Sequence, residues 1–434
     1  MAAPIEVIFT SEGTGQLWNT CVLDLHSGTT LATYKGGASV PRTLCLLAEQ
    51  YILSAVHNKS LIHVWSLQKR EQLQLKMVCP GRVSGLAVSP EGSYCVAAVD
   101  EKLHLWQVCT GNLLLVLSRH YQTVRCIKFT DDGSHFISAG EDHLVLVWNL
   151  ASVLADVQGK KVDPVHVWSA HSLPVTDVHI GCGGCRARVA TASLDHTVKL
   201  WDIVSGDLLV SFIYDCSILS VAMDTAEYRL FAGGSNGKIY QANLFEKPVT
   251  KEHHIGSEQE ETRGLVFTGH SKQVTCLSVN MDSSLLVSGS HDCSVKLWDI
   301  QSRQCIRTLA HKGPVTNLVI SPTPPGVSSS EWKTSLPLQQ FKRQLFTAED
   351  QAEDQTLHIK IKRSKRDEGE KGSSGTFVEH CLLEEGLQTL GSTKGSNSEE
   401  THELKAHIAQ LQTANKELYQ FTMKNILHDK DNST

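Results

Sequence analysis

The stretch that decides the fold is residues 269–311, GHSKQVTCLSVNMDSSLLVSGSHDCSVKLWDIQSRQCIRTLAH. Short segments of alternating apolar and polar residues are separated here by Gly, Asp, Asn and Ser, which favour turns. The pattern predicts successive antiparallel strands within a unit of about 40 residues. The predicted strands are 274–279, 285–289, 295–298 and 304–309.

The same unit recurs through most of the chain. Its third strand ends in an aromatic residue, and this mark returns at intervals of about 40 residues, at Trp65, Trp106, Trp148, Trp201, Tyr240 and Trp298. Four short strands in a unit of this length are typical of a WD-type β-propeller blade. Two intervals are longer than the others. Their extra residues, 151–166 and 246–263, are predicted to be surface loops.

The two ends of this region predict a shared seventh blade. Residues 5–10, 21–25 and 30–34 supply only the second, third and outer strands of a blade, and the missing inner strand appears at 314–320 (PVTNLVI). Pairing these segments closes the ring without an open sheet edge. We therefore predict an all-β, seven-bladed WD-repeat propeller over residues 1–322, followed by a C-terminal helical, coiled-coil-like extension.

Three units carry a fuller set of polar residues at nearly constant spacing: His120/Ser138/Asp142/Trp148, His171/Thr191/Asp195/Trp201 and His270/Ser288/Asp292/Trp298. Within a blade these side chains can satisfy one another, from carboxylate to imidazole to hydroxyl to indole N–H. The alternative is a Ser–His–Asp hydrolase triad. Nucleophilic catalysis, however, needs one exposed nucleophile beside an oxyanion site, and not three copies at repeat spacing. We interpret the sets as structural networks and expect no catalytic residue.

Other units depart from this set. Asn58 and Asn236 stand in place of the Asp, and no His precedes them at the right distance, so these blades are expected to be less rigid.

Cys182 and Cys185 have the spacing of half a zinc site or of a redox pair. A structural zinc needs four ligands, and a redox pair of this kind needs a βαβ setting that the chain lacks. We interpret the segment as a glycine-rich hairpin loop. Phosphate-loop, dinucleotide and H-E-x-x-H motifs are also missing from the sequence, so no metal or cofactor is expected.

Composition places the chain among ordinary globular proteins, with 41% hydrophobic and 20% charged residues in 434. A formal charge of −6 gives no general attraction to nucleic acid. No apolar run approaches the ~18 residues that cross a membrane, and the N-terminus lacks the pattern of a secretory signal. The 13 cysteines have no framework spacing and fit reduced thiols. We expect an intracellular protein without membrane contact.

Residues 323–398 are predicted to be a linker that begins with a Pro/Ser-rich stretch. Two short apolar segments within it, 344–348 and 357–361, are candidates for irregular strands beside the closing blade. A basic cluster follows, formed by Lys360, Lys362, Arg363, Lys365 and Arg366. It is either a solvated part of the linker or a nuclear-localisation or RNA-contacting segment. Direct RNA contact has no other support in the sequence.

Residues 399–428 contain no Pro or Gly and predict an amphipathic helix. Its seam has the 3.5-residue spacing of a coiled coil, at Leu404, Ile408, Leu411, Asn415 and Leu418. A buried Asn at an a-type position favours a paired, in-register dimer. Docking on a helical partner and packing back on the propeller are the alternatives, and an association role is preferred.

Several segments together resemble one family. The start MAAPIEV, the segments SRHYQTVRCIKF and ATASLDHTVKLWD, the stretch from residue 269 and the terminal helix are similar to WD-repeat propeller subunits of ribosome-maturation complexes. The resemblance covers nearly the whole chain. It implies a non-catalytic scaffold of the nucleus, nucleolus and nucleoplasm, partly cytoplasmic, that supports pre-rRNA processing and large ribosomal subunit maturation. Implied partners are helical-repeat scaffold proteins, a pre-rRNA processing nuclease, a SUMO-specific protease and the pre-ribosomal particle.

The alternative function is a substrate receptor of a cullin-type ubiquitin ligase. Propellers of that class carry an Arg shortly after the Trp-Asp of a blade. In this chain Trp298-Asp299 is followed by Ile-Gln-Ser before Arg303, which is a poor match.

Overall fold

The computed structural model describes residues 5–15, 20–68, 73–155, 162–245, 251–255, 265–328 and 334–345. Their strands form seven small sheets, one for each predicted blade, so the chain is a seven-bladed β-propeller. The basic cluster at 360–366 and the helix predicted at 399–428 lie outside the described residues.

Blade 7 joins the two ends of the propeller. Its strands are β1 (Glu6–Glu12), β2 (Thr20–Asp24), β3 (Thr30–Tyr34) and β29 (Val315–Pro322), in the order β29-β1-β2-β3. Strands β1 and β29 pair antiparallel, with a register shift between Ser11 and Glu12. The inner strand of the blade that contains the N-terminal strands therefore comes from the C-terminal end of the propeller sequence.

The other blades follow one another along the chain. Blade 1 has β4 (Cys45–Leu47), β5 (Tyr51–Ala55), β6 (Leu61–Ser66) and β7 (Leu73–Val78). Blade 2 has β8 (Val83–Val88), β9 (Tyr94–Val99), β10 (Lys102–Gln107) and β11 (Leu113–Leu117). Blade 3 has β12 (Val124–Phe129), β13 (His135–Gly140), β14 (Val145–Asn149) and β15 (His166–Trp168).

Blades 4 to 6 complete the ring. Blade 4 has β16 (Val175–Ile180), β17 (Arg188–Ser193), β18 (Thr197–Asp202) and β19 (Leu208–Tyr214), with β23 (Glu252–Ile255) as a fifth strand. Blade 5 has β20 (Ile218–Met223), β21 (Arg229–Gly234), β22 (Ile239–Asn243) and β24 (Val266–Phe267). Blade 6 has β25 (Val274–Val279), β26 (Leu285–Ser290), β27 (Ser294–Asp299) and β28 (Cys305–Ala310).

The hydrophobic core lies between adjacent blades. Successive residues of a strand point to opposite faces of its sheet, so each blade contributes to two core clusters. Phe136 of blade 3 packs with Leu103 of blade 2, whereas the next residue, Ile137, packs with Val178 of blade 4. A single blade cannot bury both faces, so closing the ring is what completes the core.

The two insertions are more ordered than the loops that the sequence predicts. The first begins with helix α1 (Leu150–Ala155). The second was expected to be a loop throughout, which is wrong for Glu252–Ile255. This segment pairs parallel to β19 and covers the outer edge of blade 4. A second helix, α2 (Pro325–Ser328), follows the closing strand. Among the described residues, no helix is both long and apolar enough to cross a membrane.

Candidate functional site

The structure brings the His, Ser or Thr, Asp and Trp of each fuller set together in one hydrogen-bonded network. In blade 3, His120 Nδ1 lies 2.9 Å from Asp142 Oδ2, and His120 Nε2 lies 2.8 Å from Ser138 Oγ. Trp148 Nε1 donates to the same hydroxyl over 3.0 Å. Each of these polar groups in the buried network of blade 3 therefore has a hydrogen-bond partner.

Blade 4 repeats the arrangement with a threonine hydroxyl. His171 lies 2.9 Å from Asp195 Oδ2 and 2.8 Å from Thr191 Oγ1, to which Trp201 Nε1 donates over 3.0 Å.

In blade 6, the corresponding distances are 2.9 Å from His270 to Asp292 Oδ2, 2.7 Å from His270 to Ser288 Oγ and 2.8 Å from Trp298 Nε1 to that hydroxyl.

These networks organise one end of the propeller, which we call the network face. Each His lies in the loop that enters a blade, and each Asp lies in the turn between the second and third strands. In blade 6, Asp292 also accepts the backbone N–H groups of Ser271 and Ser294, and so ties the two loops together. Burial alone would raise the pKa of Asp292, but hydrogen bonds from Ser294 and His270 lower it to about 2. The carboxylate is therefore ionised at neutral pH.

The buried position of the hydroxyls argues against their use as nucleophiles. Ser138, Thr191 and Ser288 are fully buried, and each accepts an indole N–H from its own blade. A nucleophile must reach both its substrate and an oxyanion site. The arrangement can hold loops in place, but it offers no access for a substrate.

In blade 2 the indole of Trp106 obtains its partner from outside the blade. Trp106 pairs with Cys95 across the sheet, which puts Ala97 at the position of the network hydroxyl. Trp106 Nε1 instead donates to the backbone carbonyl of Lys342 over 2.8 Å. The Phe341 ring stacks on the indole at 5.2 Å between centroids and 9° between planes.

Residues 334–345, which we call the strap, follow the propeller and lie on blades 1 and 2. Gln50 Oε1 accepts the backbone N–H groups of Ser335 and Leu336, each over 2.9 Å. Lys342 N–H donates to the carbonyl of Gly111 over 2.7 Å. The expected strand beside the closing blade is wrong for Leu345, which forms a parallel bridge to Leu113 of blade 2. Sequence reasoning missed the contacts of the strap with blades 1 and 2, because most of this segment has no strand or helix periodicity. The sequence offered one signal: blade 2 has Trp106 but carries Ala97 in place of the network hydroxyl.

The two blades with Asn in place of Asp also satisfy their aromatic residues differently. In blade 5, Asn236 Nδ2 donates to Tyr240 Oη over 2.8 Å. In blade 1, Trp65 Nε1 donates to the carbonyl of Lys35 over 3.0 Å.

An ion pair crosses the centre of the ring. Arg42, which precedes β4 in blade 1, donates from Nε to Asp177 Oδ1 of blade 4 over 2.9 Å and also contacts the carbonyl of Leu219 in blade 5. The other oxygen of Asp177 accepts the N–H of Val221 over 3.1 Å. Burial lowers the pKa of Arg42, but the charge of Asp177 raises it above its ordinary value, so the guanidinium is charged.

The blades of a propeller surround a central channel. At the end of this channel on the network face, the Arg42 side chain lines a cavity of about 360 Å³. Its wall includes Pro41, Pro174, Pro314 and Leu194.

Cys182 and Cys185 lie on an exposed turn of blade 4, and both are free thiols. Gly183 between them has φ +128°, a conformation that L side chains rarely adopt. Its N–H donates to the carboxylate of Asp131 over 2.9 Å. Across the described part of the chain, no three His, Cys, Asp or Glu side chains are grouped to hold a metal ion.

Comparison with known proteins agrees with this geometry. The family model of the WD domain, G-beta repeat, matches residues 111–149, 162–202 and 262–299. These segments contain the complete networks of blades 3, 4 and 6.

Similar full-length proteins are also known. WD repeat-containing protein 18 of Mus musculus is 52% identical over 363 residues, which cover 83% of this chain and 84% of that protein. WD repeat-containing protein 18 of Bos taurus is 46% identical over 432 residues, 99% of each chain. The pre-rRNA-processing protein pro-1 of Caenorhabditis briggsae is 27% identical over 335 residues, 76% of this chain and 63% of that protein.

Proposed function

The chain belongs to the family of WD repeat-containing protein 18, and we propose that it is a non-catalytic interaction scaffold in a nuclear complex for pre-rRNA processing and large ribosomal subunit maturation. One observation carries the proposal: every network hydroxyl of the closed ring is buried and hydrogen-bonded to the His and Trp of its own blade. The name of the relative pro-1, a pre-rRNA-processing protein, supports the proposed role in pre-rRNA processing.

A rigid ring suits this role because binding loses less conformational entropy when loops are already ordered. The Asp of each network fixes a loop and a turn of the same blade. The Arg42–Asp177 pair ties opposite sides of the ring. The network face is thus a pre-organised binding surface.

The partners of this scaffold are proposed to be helical-repeat scaffold proteins, a pre-rRNA processing nuclease, a SUMO-specific protease and the pre-ribosomal particle. We propose nuclear, nucleolar and nucleoplasmic localisation, with a cytoplasmic fraction. The basic cluster at 360–366 supports nuclear entry by its composition. The seam of residues 399–428 supports association, through self-pairing or docking on a partner.

Depletion and rescue test the proposal. The endogenous protein is removed with an inducible degradation tag, and pre-rRNA intermediates are measured by northern blotting with and without a plasmid copy. We expect large-subunit precursors to accumulate on depletion and to return to normal on rescue. Unchanged precursors after complete depletion would contradict the proposed process.

A further inference from the structure

The end of the propeller opposite the network face carries an exposed apolar surface. We call this end the turn face, because it holds the turns that join the first to the second strand and the third to the fourth strand of each blade. Among the described residues of blades 5 to 7, four large side chains at this face are 60–80% exposed: Ile5, Tyr228, Phe245 and Met281. We call these four residues the apolar arc.

Hydrogen bonds between turns show that the four residues of the arc lie on contacting turns of blades 5 to 7. Leu244 N–H, beside Phe245, donates to the carbonyl of Tyr228 over 2.7 Å. Thr225 Oγ1 of the same blade 5 turn donates to the carbonyl of Met281 in blade 6 over 3.1 Å.

The chain of contacts continues into blade 7. Met281 N–H donates over 2.9 Å to Glu6 Oε1, and Glu6 directly follows Ile5. Single exposed apolar side chains are ordinary on protein surfaces, whereas a contiguous set with a polar rim is typical of an interaction site.

The rim of the arc is acidic. Among the described residues of blades 5 to 7, the carboxylates at this face are the buried Glu6 and Asp224, together with Asp24, Glu227, Asp282 and Asp299. Glu227 is paired with Arg188 of blade 4. The cationic side chains are fewer: His26, Arg229, Arg303 and Arg307, the last of which reaches the turn at Gly28. Hydrogen bonds from Ser284 lower the pKa of Asp282, and hydrogen bonds from Ser302 lower that of Asp299. Both exposed carboxylates are therefore ionised at neutral pH.

We propose that the apolar arc is a docking site for an amphipathic segment of a partner protein that presents apolar side chains flanked by Lys or Arg. The proposal deepens the scaffold function and rests on it. Charge complementarity selects this occupant, because opposite potentials meet across specific interfaces. A second copy of the same face would bring carboxylates together, and nucleic acid would meet the same repulsion.

Binding of a defined probe tests the site. A fluorescein-labelled peptide, LKKLLKLLKKLLKL, is titrated with the purified full chain and followed by fluorescence anisotropy. The arc variant Tyr228→Ser/Phe245→Ser/Met281→Ser removes apolar surface but no charge, so non-specific attraction to the acidic protein is kept. The matched control is Val165→Ser/Val167→Ser, which changes exposed apolar residues at the outer edge of blade 3.

We expect the arc variant to bind about tenfold or more weakly, and the control variant to bind like the unmodified protein. A peptide with Glu in place of Lys should also bind about tenfold or more weakly. If the arc variant does not fold, Asp282→Asn/Asp299→Asn serves as the second variant, with weaker binding and a smaller salt dependence expected.

Equal affinity of the arc and control variants, or equal binding of the Glu peptide, would overturn the proposal. So would a lower mass of the arc variant in light scattering, which would identify the face as a contact between copies. Because this assay uses purified protein, its failure is distinguishable from failure of the depletion experiment, which alone decides the role in pre-rRNA processing.

Discussion

Replacing Asp292 with Ala tests the networks most clearly, because this carboxylate connects three parts of blade 6. Its Oδ2 accepts His270 Nδ1 over 2.9 Å and Ser271 N–H over 3.1 Å, and its Oδ1 accepts Ser294 N–H over 3.0 Å. The substitution leaves the buried imidazole of His270 without its carboxylate. An unsatisfied buried group costs about 1–3 kcal/mol, and a hydrogen bond to a charged group contributes about 1.5–3 kcal/mol.

We therefore expect Asp292→Ala to lower the free energy of unfolding by about 2–4 kcal/mol. The measurement is equilibrium unfolding in guanidinium chloride, followed by tryptophan fluorescence. Asp207→Ala is the matched control, because it removes the same charge from an exposed turn, and surface substitutions usually change stability by less than about 0.5 kcal/mol. If the two variants have the same unfolding midpoint, the network does not stabilise the fold as argued.

Four further outcomes follow from the structure and the sequence. Phe341→Ala should lower the free energy of unfolding by about 3 kcal/mol, because Phe341 is buried against Trp106. Leu345→Ala, which alters a half-exposed residue of the strap, should lower it by less than about 1 kcal/mol in the same assay. The pKa of Asp292 in the folded protein is about 2, below its ordinary value of 3.8, so the stabilisation by this carboxylate is present above pH 3.8 and is lost as the pH falls towards 2. Between pH 3.8 and 2, the free energy of unfolding should therefore fall less for Asp292→Ala than for the unmodified protein. Residues 1–312 lack β29 and should be insoluble or aggregated in size-exclusion chromatography, so monodisperse protein would show that closure by β29 is dispensable. Deleting residues 399–434 should reduce oligomeric mass or partner binding in light scattering with little change in melting temperature, and the opposite pattern would mean that this segment packs on the propeller.

The repeats could be predicted from sequence because their information is local. Alternation marks the strands of residues 269–311, and the spacing of His270, Ser288 and Asp292 places their side chains within one blade. Other features depend on residues that meet only in the folded ring. Arg42 and Asp177 lie in different blades, and Phe341 finds Trp106 from beyond the propeller. No periodicity in either local sequence records those contacts.

The central claim is that the network hydroxyls hold a scaffold and perform no chemistry. Rescue of depleted cells by Ser138→Ala, Thr191→Val or Ser288→Ala, each compared with the unmodified protein, tests it directly. Pre-rRNA intermediates are quantified by northern blotting, and folded protein is measured in the soluble fraction of the same cells. The scaffold account predicts that each variant restores processing in proportion to its folded amount. A variant that is folded at the unmodified level yet abolishes processing would contradict the account.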